Sequence, residues 1–479
     1  MKKIAEMKGQ VRIPKDSLSK DDLFDLKKAL TYESPSFIEG EVDLFIDYKE
    51  NKTHIFVPVI FFQRNKNLFF KDYEIIDKRY DKIIETDIKN NIILRDYQKQ
   101  IVGSLFKEMK NENRIGIIKS NVGTGKSIMM LYTAFRSKRK TIILVHRDSL
   151  MKQFVKLINE AKVLENVKLG IIKGNKREVE GKDIVIAMIE TVMLPKNAYL
   201  LQDFGLLMVD EVERSAGQVF INAIKNCPAK NKIGWSATPY RKDGGKNVLK
   251  NNMNQVIVDA DAMGIGQTLI SPNVIMIGHD FHIYPYGKEP TRVTSYFENT
   301  INKNVDRNNM VLTLIMHLAN NKDRNILVMT NRTAMIDNIV NFLRREGYPS
   351  VVGLKGGVKE AVLEQAKTTQ IIVSNKQFIS VGVSLNHLNT LVMAGFIPGG
   401  LQQKVGRILR EDDGKERLVF DFIDMKSDLS KSVSEMKIRQ YKDKVNAINV
   451  YGYRWGDIFN TVNSTNYKKG DFIDSEYII

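Results

Sequence analysis

Cysteine is almost missing from this chain. Cys227 stands alone among 479 residues, which excludes an internal disulfide and any zinc knuckle built on paired cysteines. It reads as a small buried apolar side chain, and the scarcity of thiols predicts a reducing, intracellular setting. The six histidines show no ligand spacing, so a structural metal site is not expected. Long apolar runs are lacking too. The opening MKKIAEMKGQVRIPKD has no apolar centre of the kind a signal peptide needs. The longest stretch free of Lys, Arg, Asp and Glu, Gln377 to Gln403, is broken by Asn386, His387, Asn389, Pro398 and several glycines, so it does not read as a membrane span. A soluble protein with no membrane partner is expected. Repeats of roughly 20 to 50 residues and low-complexity tracts are also absent.

What is present is enough apolar material, 43% of residues, for about three domains of roughly 150 residues each. Lys and Arg number 73 against 56 Asp and Glu, a net charge of +17. The excess is localised: residues 1–90 hold 17 basic and 17 acidic side chains, whereas residues 91–250 hold 29 and 15. A polyanion such as nucleic acid is the expected partner, and the middle segment is where its phosphates would be neutralised.

Residues 1–88 mix a helical pattern, SKDDLFDLKKALTY, with strand-like runs, EVDLFIDY and THIFVPVIFF, and read as a small α+β accessory domain, whose zero net charge argues against a purely electrostatic clamp on DNA. From Asn91 short apolar strands alternate with amphipathic helices: RIGIIKS, SIMMLYTAFRSK, TIILVH, SLMKQFVKLINEAK, DIVIAMI and FGLLMVDE. A second such set follows: RNILVMT, AMIDNIVNFLRREG, TQIIVSN, TLVMAGF, QQKVGRILRE and RLVFDFID. Alternation of this kind implies α/β lobes with parallel strands joined by crossover helices. The expected boundaries are 89–255 and 306–430 for the lobes, with a linker at 256–305 and a C-terminal extension at 431–479.

Between the first strand and helix of the middle segment lies Ser120-Asn121-Val122-Gly123-Thr124-Gly125-Lys126-Ser127. Gly123 and Gly125 let backbone amides, with that of Thr124, close around phosphate oxygens. Lys126 reaches the β and γ phosphates, and Ser127 can ligate Mg2+. Further on, GLLMVD delivers Asp210 and Glu211 at a strand's carboxyl end, where α/β sheets place ligands. Asp210 is expected to hold Mg2+ and Glu211 to orient and deprotonate the water that attacks the γ phosphate of ATP.

Asp210-Glu211-Val212-Glu213 followed by Ser236-Ala237-Thr238-Pro239 resembles motifs II and III of the superfamily 2 helicases. Leu94-Arg95-Asp96-Tyr97-Gln98 is similar to the family's adenine-reading segment. The resemblance implies that Arg95 and Gln98 contact the nucleotide, with Gln98 supplying a paired donor and acceptor. LVHRDSLMKQF, with His146, Arg147 and Gln153, looks like motif Ia, and Asp183 to Thr191 like the next segment that lines the nucleic-acid backbone. In the second lobe ILVMTNR looks like motif IV. Gly382-Val383-Ser384 looks like motif V, which would put Gly382 at the nucleotide. Gln403-Lys404-Val405-Gly406-Arg407-Ile408-Leu409-Arg410 looks like motif VI, whose Gln403, Arg407 and Arg410 would be catalytic. Two departures stand out: Glu213 occupies a position where histidine is common, and no acidic residue flanks Gly382.

Arg407 and Arg410, three apart on an expected helix, can face the same way and neutralise charge on the transferring phosphate. The resemblance implies two tandem RecA-like lobes, ATP and Mg2+ as cofactors, and translocation on DNA. SATPYRKDG and QKVGRILR are most similar to the phage UvsW-type branch, which implies branched DNA: fork unwinding or regression and Holliday-junction migration, in a phage-infected host's cytoplasm. Other readings of the same residues stay open: an RNA helicase, the motor subunit of a restriction system, or a binding scaffold with a dead triphosphatase. Arg241, Lys242 and Lys246 follow motif III in a basic turn that either meets the nucleic acid or is simply solvated. Tyr451, Tyr453, Trp455 and Phe459 read as packing before base stacking. No protein partner is identified.

Overall fold

A computed structural model describes residues 3–35, 42–110, 114–121, 123–217, 219–239, 245–265, 272–279, 290–356, 358–375, 385–397, 405, 408, 414–424, 427–441, 445, 447–451 and 467–469. The chain divides into two compact units, Met1–Gly266 and Gln267–Ile479.

In the first unit, eight strands form one sheet in the order 176–177, 169–173, 184–188, 141–145, 206–210, 231–236, 115–119 and 256–259. Every pairing is parallel except the edge hairpin of 169–173 with 176–177. Its strands are apolar on both faces because helices cover both. Ile118, Ile143, Val145, Ile186, Met208 and Trp235 pack on one side with the helices Asp96–Lys110, Lys126–Ser137 and Asp148–Asn159. Ile117, Ile142, Leu144, Val185, Leu207 and Val209 point to the other side, where helix Gly245–Met253 packs. Alternate residues of one strand thus feed two separate cores. The register places Asp210 beside Trp235, and Ser236 beside Lys119, so these carboxyl ends share one edge of the sheet.

The N-terminal segment contributes a five-stranded sheet in the order 49–50, 54–57, 11–14, 3–7, 73–77. Helix Lys20–Ala29 is N-capped by Ser19, whose hydroxyl accepts from the Asp22 amide at 3.0 Å. THIFVPVIFF, expected to be extended throughout, is strand only over His54–Val57. Pro58 then stands at the N-cap of helix Val59–Arg64 with φ −58°, where its missing N–H costs nothing and its fixed φ suits helix entry.

The second unit holds another eight-stranded sheet, in the order 351–354, 371–375, 326–330, 390–392, 418–424, 273–279, 447–451, 467–469, with parallel pairings throughout. Helices Val305–Asn320 and Thr333–Arg345 bury one face with Ile275, Val328 and Phe420, and helix Asp428–Tyr441 contributes Ile438 and Tyr441 to the other. The protein is therefore an α/β molecule with two tandem RecA-like sheets. The stretch expected as a linker supplies a strand to each sheet, Val256–Asp259 and Asn273–His279, and the stretch expected as an extension supplies 447–451 and 467–469. Among the described residues, no helix is long and apolar enough to cross a membrane.

Candidate active site

The phosphate cradle leaves strand Ile115–Lys119 and runs into helix Lys126–Ser137. Gly123 and Gly125 take φ of +90° and +81°, a left-handed backbone that a side chain resists. At Gly125 space is closed as well, since an added Cβ would lie 2.5 Å from the Gln98 amide nitrogen. Ser120, where glycine is usual, is fully buried, and its hydroxyl meets Thr124 Oγ1 at 2.6 Å. Thr124 Oγ1 in turn donates to the Asn121 carbonyl at 2.8 Å, so hydroxyls brace the loop from within. Lys126 Nζ donates to the carbonyls of Ser120 and Asn121 at 3.2 and 3.0 Å. The helix begins with no side chain capping its first amides, which leaves donors and the positive end of its dipole facing the loop.

Gln98 is buried between its own segment and this loop. Its Oε1 accepts from the Arg95 amide at 2.9 Å and its Nε2 donates to the Thr124 carbonyl at 2.8 Å. The paired donor and acceptor expected to face a base are engaged here in tying the adenine-reading segment to the cradle. Arg95 itself is exposed.

Asp210 closes strand Leu206–Asp210 and is 5% exposed. Burial raises its pKa to about 6, while the charge of Lys126 pulls it down. A buried carboxylate gains from an added cation, and carboxylate and hydroxyl oxygens of the kind Asp210 and Ser127 carry are the hard donors that suit Mg2+, so in chemistry these residues fit the metal that the motifs imply. Glu211 adopts left-handed φ/ψ of 51° and 52°, a strained turn for a non-glycine residue that sends its side chain off the strand axis. Its amide donates to Asp210 Oδ1 at 3.0 Å, and its carboxylate pairs with Arg214 Nε at 2.6 Å.

Glu213, in the place where histidine is common, is raised by burial and lowered by the Ser236 hydroxyl, which donates to it. Ser236 Oγ also accepts from the Thr238 amide at 2.9 Å. Motif II thus reaches motif III through a carboxylate. His146 turns the same way: its Nε2 lies 3.4 Å from Ser215 Oγ and its ring packs edge-on to Phe220. Burial, then Arg214, then Arg147 lower its pKa to about 4. Arg147 is half-buried, and its Nη1 is buried without a hydrogen-bond partner among the described residues.

Contacts that sequence reading missed surround the cradle. Lys119 Nζ pairs with Asp259 and Asp261 at 3.1 and 2.9 Å, and Asn121 Nδ2 donates to Asp261 at 2.8 Å. Gln153 Nε2 donates to Ser127 Oγ at 3.2 Å. The acids sit two residues apart in DAD, but nothing local in that tripeptide names a partner about 140 positions away. Lys126, Ser127, Asp210 and Glu211 thus belong to one unit, at the strand-end edge. Gly382, Gln403, Arg407 and Arg410 lie outside the described residues, as do Arg241 and Lys242; Lys246 is exposed on helix Gly245–Met253.

Residues 91–241 match the family described as Type III restriction enzyme, res subunit. The putative ATP-dependent RNA helicase L396 of Acanthamoeba polyphaga mimivirus is 26% identical over 452 residues, covering 90% of this chain and 82% of that protein. Among solved structures, ATP-dependent Type ISP restriction-modification enzyme LlaBIII bound to DNA aligns with a TM-score of 0.54 at 14% identity, over 80% of this chain and 32% of its own, which shows a shared fold. T4 UvsW aligns over 94% of this chain and 99% of its own at 17% identity, with a TM-score of 0.39. The family match, the mimivirus relative and the ordered motifs around a phosphate cradle together support a superfamily 2 helicase.

Proposed function

We propose that the protein is an ATP-driven DNA helicase or translocase that works on branched DNA, as in fork unwinding, fork regression or Holliday-junction migration. The observation that carries the ATPase reading is the left-handed glycine loop closed by Lys126 on the Ser120 and Asn121 carbonyls, running into an uncapped helix start, with a buried Asp210 that feels the Lys126 charge. Bound Mg2+ would be held by Ser127 and Asp210 and would neutralise phosphate charge. Lys126 gives up two carbonyl acceptors for phosphate oxygens. Glu211, steadied by Arg214, accepts the proton of the attacking water. Glu213 and Ser236 carry any shift of the acidic turn to motif III. The resemblance adds Gln403, Arg407 and Arg410 as catalytic residues and Gly382 as a nucleotide-binding one.

The DNA assignment is supported by the UvsW-like motif segments and by likeness to proteins named as restriction enzymes; the mimivirus relative's name points to RNA instead. The net positive charge of residues 91–250 suits either backbone. Steady-state ATPase with a four-way junction, duplex DNA and RNA as activators decides between them. The expected order is junction first and RNA last, with Lys126→Ala inactive on all three. Equal stimulation by RNA would overturn the DNA assignment, and undiminished turnover by Lys126→Ala would overturn the site.

A further inference from the structure

Ser127 and Gln153 lie on the helices that follow successive strands, Lys126–Ser137 and Asp148–Asn159, and 26 residues separate them. Their partly buried side chains meet in one bond, Gln153 Nε2 donating to Ser127 Oγ at 3.2 Å. A hydroxyl has one proton and two lone pairs. With the amide proton on one lone pair, rotation of the hydroxyl is restricted, and the other lone pair and the proton remain available. Those are the two groups a serine uses when it ligates a cation with one and donates to a phosphate oxygen with the other. The resemblance places Gln153 along the nucleic-acid backbone; its amide is instead engaged at the cradle.

We propose that Gln153 is a positioning residue that sets the Ser127 hydroxyl for the divalent cation. This rests on the reading of Ser127 and Asp210 as the cation's holders. Groups that orient a metal ligand typically change metal affinity by about 10- to 100-fold. Arg147 is the N-cap of the same helix, and its guanidinium has a buried nitrogen with no acceptor among the described residues. The element that holds the serine therefore also carries a cationic group at its amino end.

The test is binding of a fluorescent ADP analogue to the full chain, titrated with Mg2+, beside binding in EDTA and a thermal melt. Two variants are compared. Gln153→Ala removes the donor. Gln153→Glu keeps the shape but can only accept, so it takes the serine's proton away from the phosphate. Both are expected to need about 10-fold more Mg2+ for half-maximal tightening, with EDTA binding and melting unchanged. A Gln153→Glu protein with the wild-type Mg2+ midpoint would overturn the proposal while leaving the active-site reading standing. Wild-type binding that ignores Mg2+ altogether would overturn both.

Discussion

His146 is a histidine kept neutral by where it sits. Burial, with smaller contributions from the charges of Arg214 and Arg147, lowers its pKa to about 4 from 6.5. The unfolded chain therefore takes up a proton at this position between those two pH values, and the folded chain does not. The stability His146 contributes is complete above pH 6.5 and is lost as pH falls toward 4. Between pH 7 and pH 5 this amounts to about 2 kcal/mol. Urea midpoints measured at the two pH values should draw closer in His146→Gln than in wild type; an unchanged gap would show that the ring is not the titrating group. Glu211 and Glu213 make a related point about single residues. One is placed by a left-handed turn, the other by a serine from the next strand, and neither placement is visible in the letters DEVE.

At the level of elements, the most consequential junction is the one around Asp47. This carboxylate follows strand Val42–Ile46, is fully buried, and pairs at 2.7 Å with Lys225 of helix Ile221–Asn226. Asn252 of helix Gly245–Met253 donates to it at 3.0 Å, and Asn251 of the same helix reaches both Asp47 and Tyr32. Three elements share one buried charge. Removing the lysine leaves that charge uncompensated, so Lys225→Ala should cost about 3–5 kcal/mol. Chemical denaturation gives the value directly, and a loss below about 1 kcal/mol would mean that the pair is not what joins them.

Elements were also where the sequence was most readable. The apolar strands RIGIIK, TIILV, DIVIAM and GLLMVD were legible because a strand covered on both faces has no polar alternation to obscure it. Pro58 turned half of an expected strand into a helix, because local β propensity gives way where proline fixes the entry angle. The two-residue edge strand Lys176–Arg177 has no apolar residue to announce it.

For the molecule as a whole, the two alternating segments became two eight-stranded sheets, the second parallel throughout and the first parallel but for its edge hairpin, and the cradle, acidic turn and motif III came together because parallel topology puts successive strand ends on one edge. The N-terminal segment, expected as a separate accessory domain, packs within the first compact unit. Arg64 donates to the Lys250 carbonyl and to Asn254, and buried Lys232 donates to the Gly9 carbonyl. Its zero net charge suits a body bolted to the lobe by a few specific polar contacts. Bonds that close over long sequence separations, such as Asn121 to Asp261, were not legible, since only the folded sheet makes them neighbours.

Glu211 is proposed to perform the proton transfer, with Lys126, Ser127 and Asp210 holding the nucleotide and its cation. Single-turnover hydrolysis of labelled ATP by Glu211→Gln, with bound nucleotide measured in the same samples, tests it most directly. The account predicts nucleotide retained near the wild-type level and hydrolysis slower by roughly 100-fold or more. Hydrolysis at the wild-type rate would contradict it.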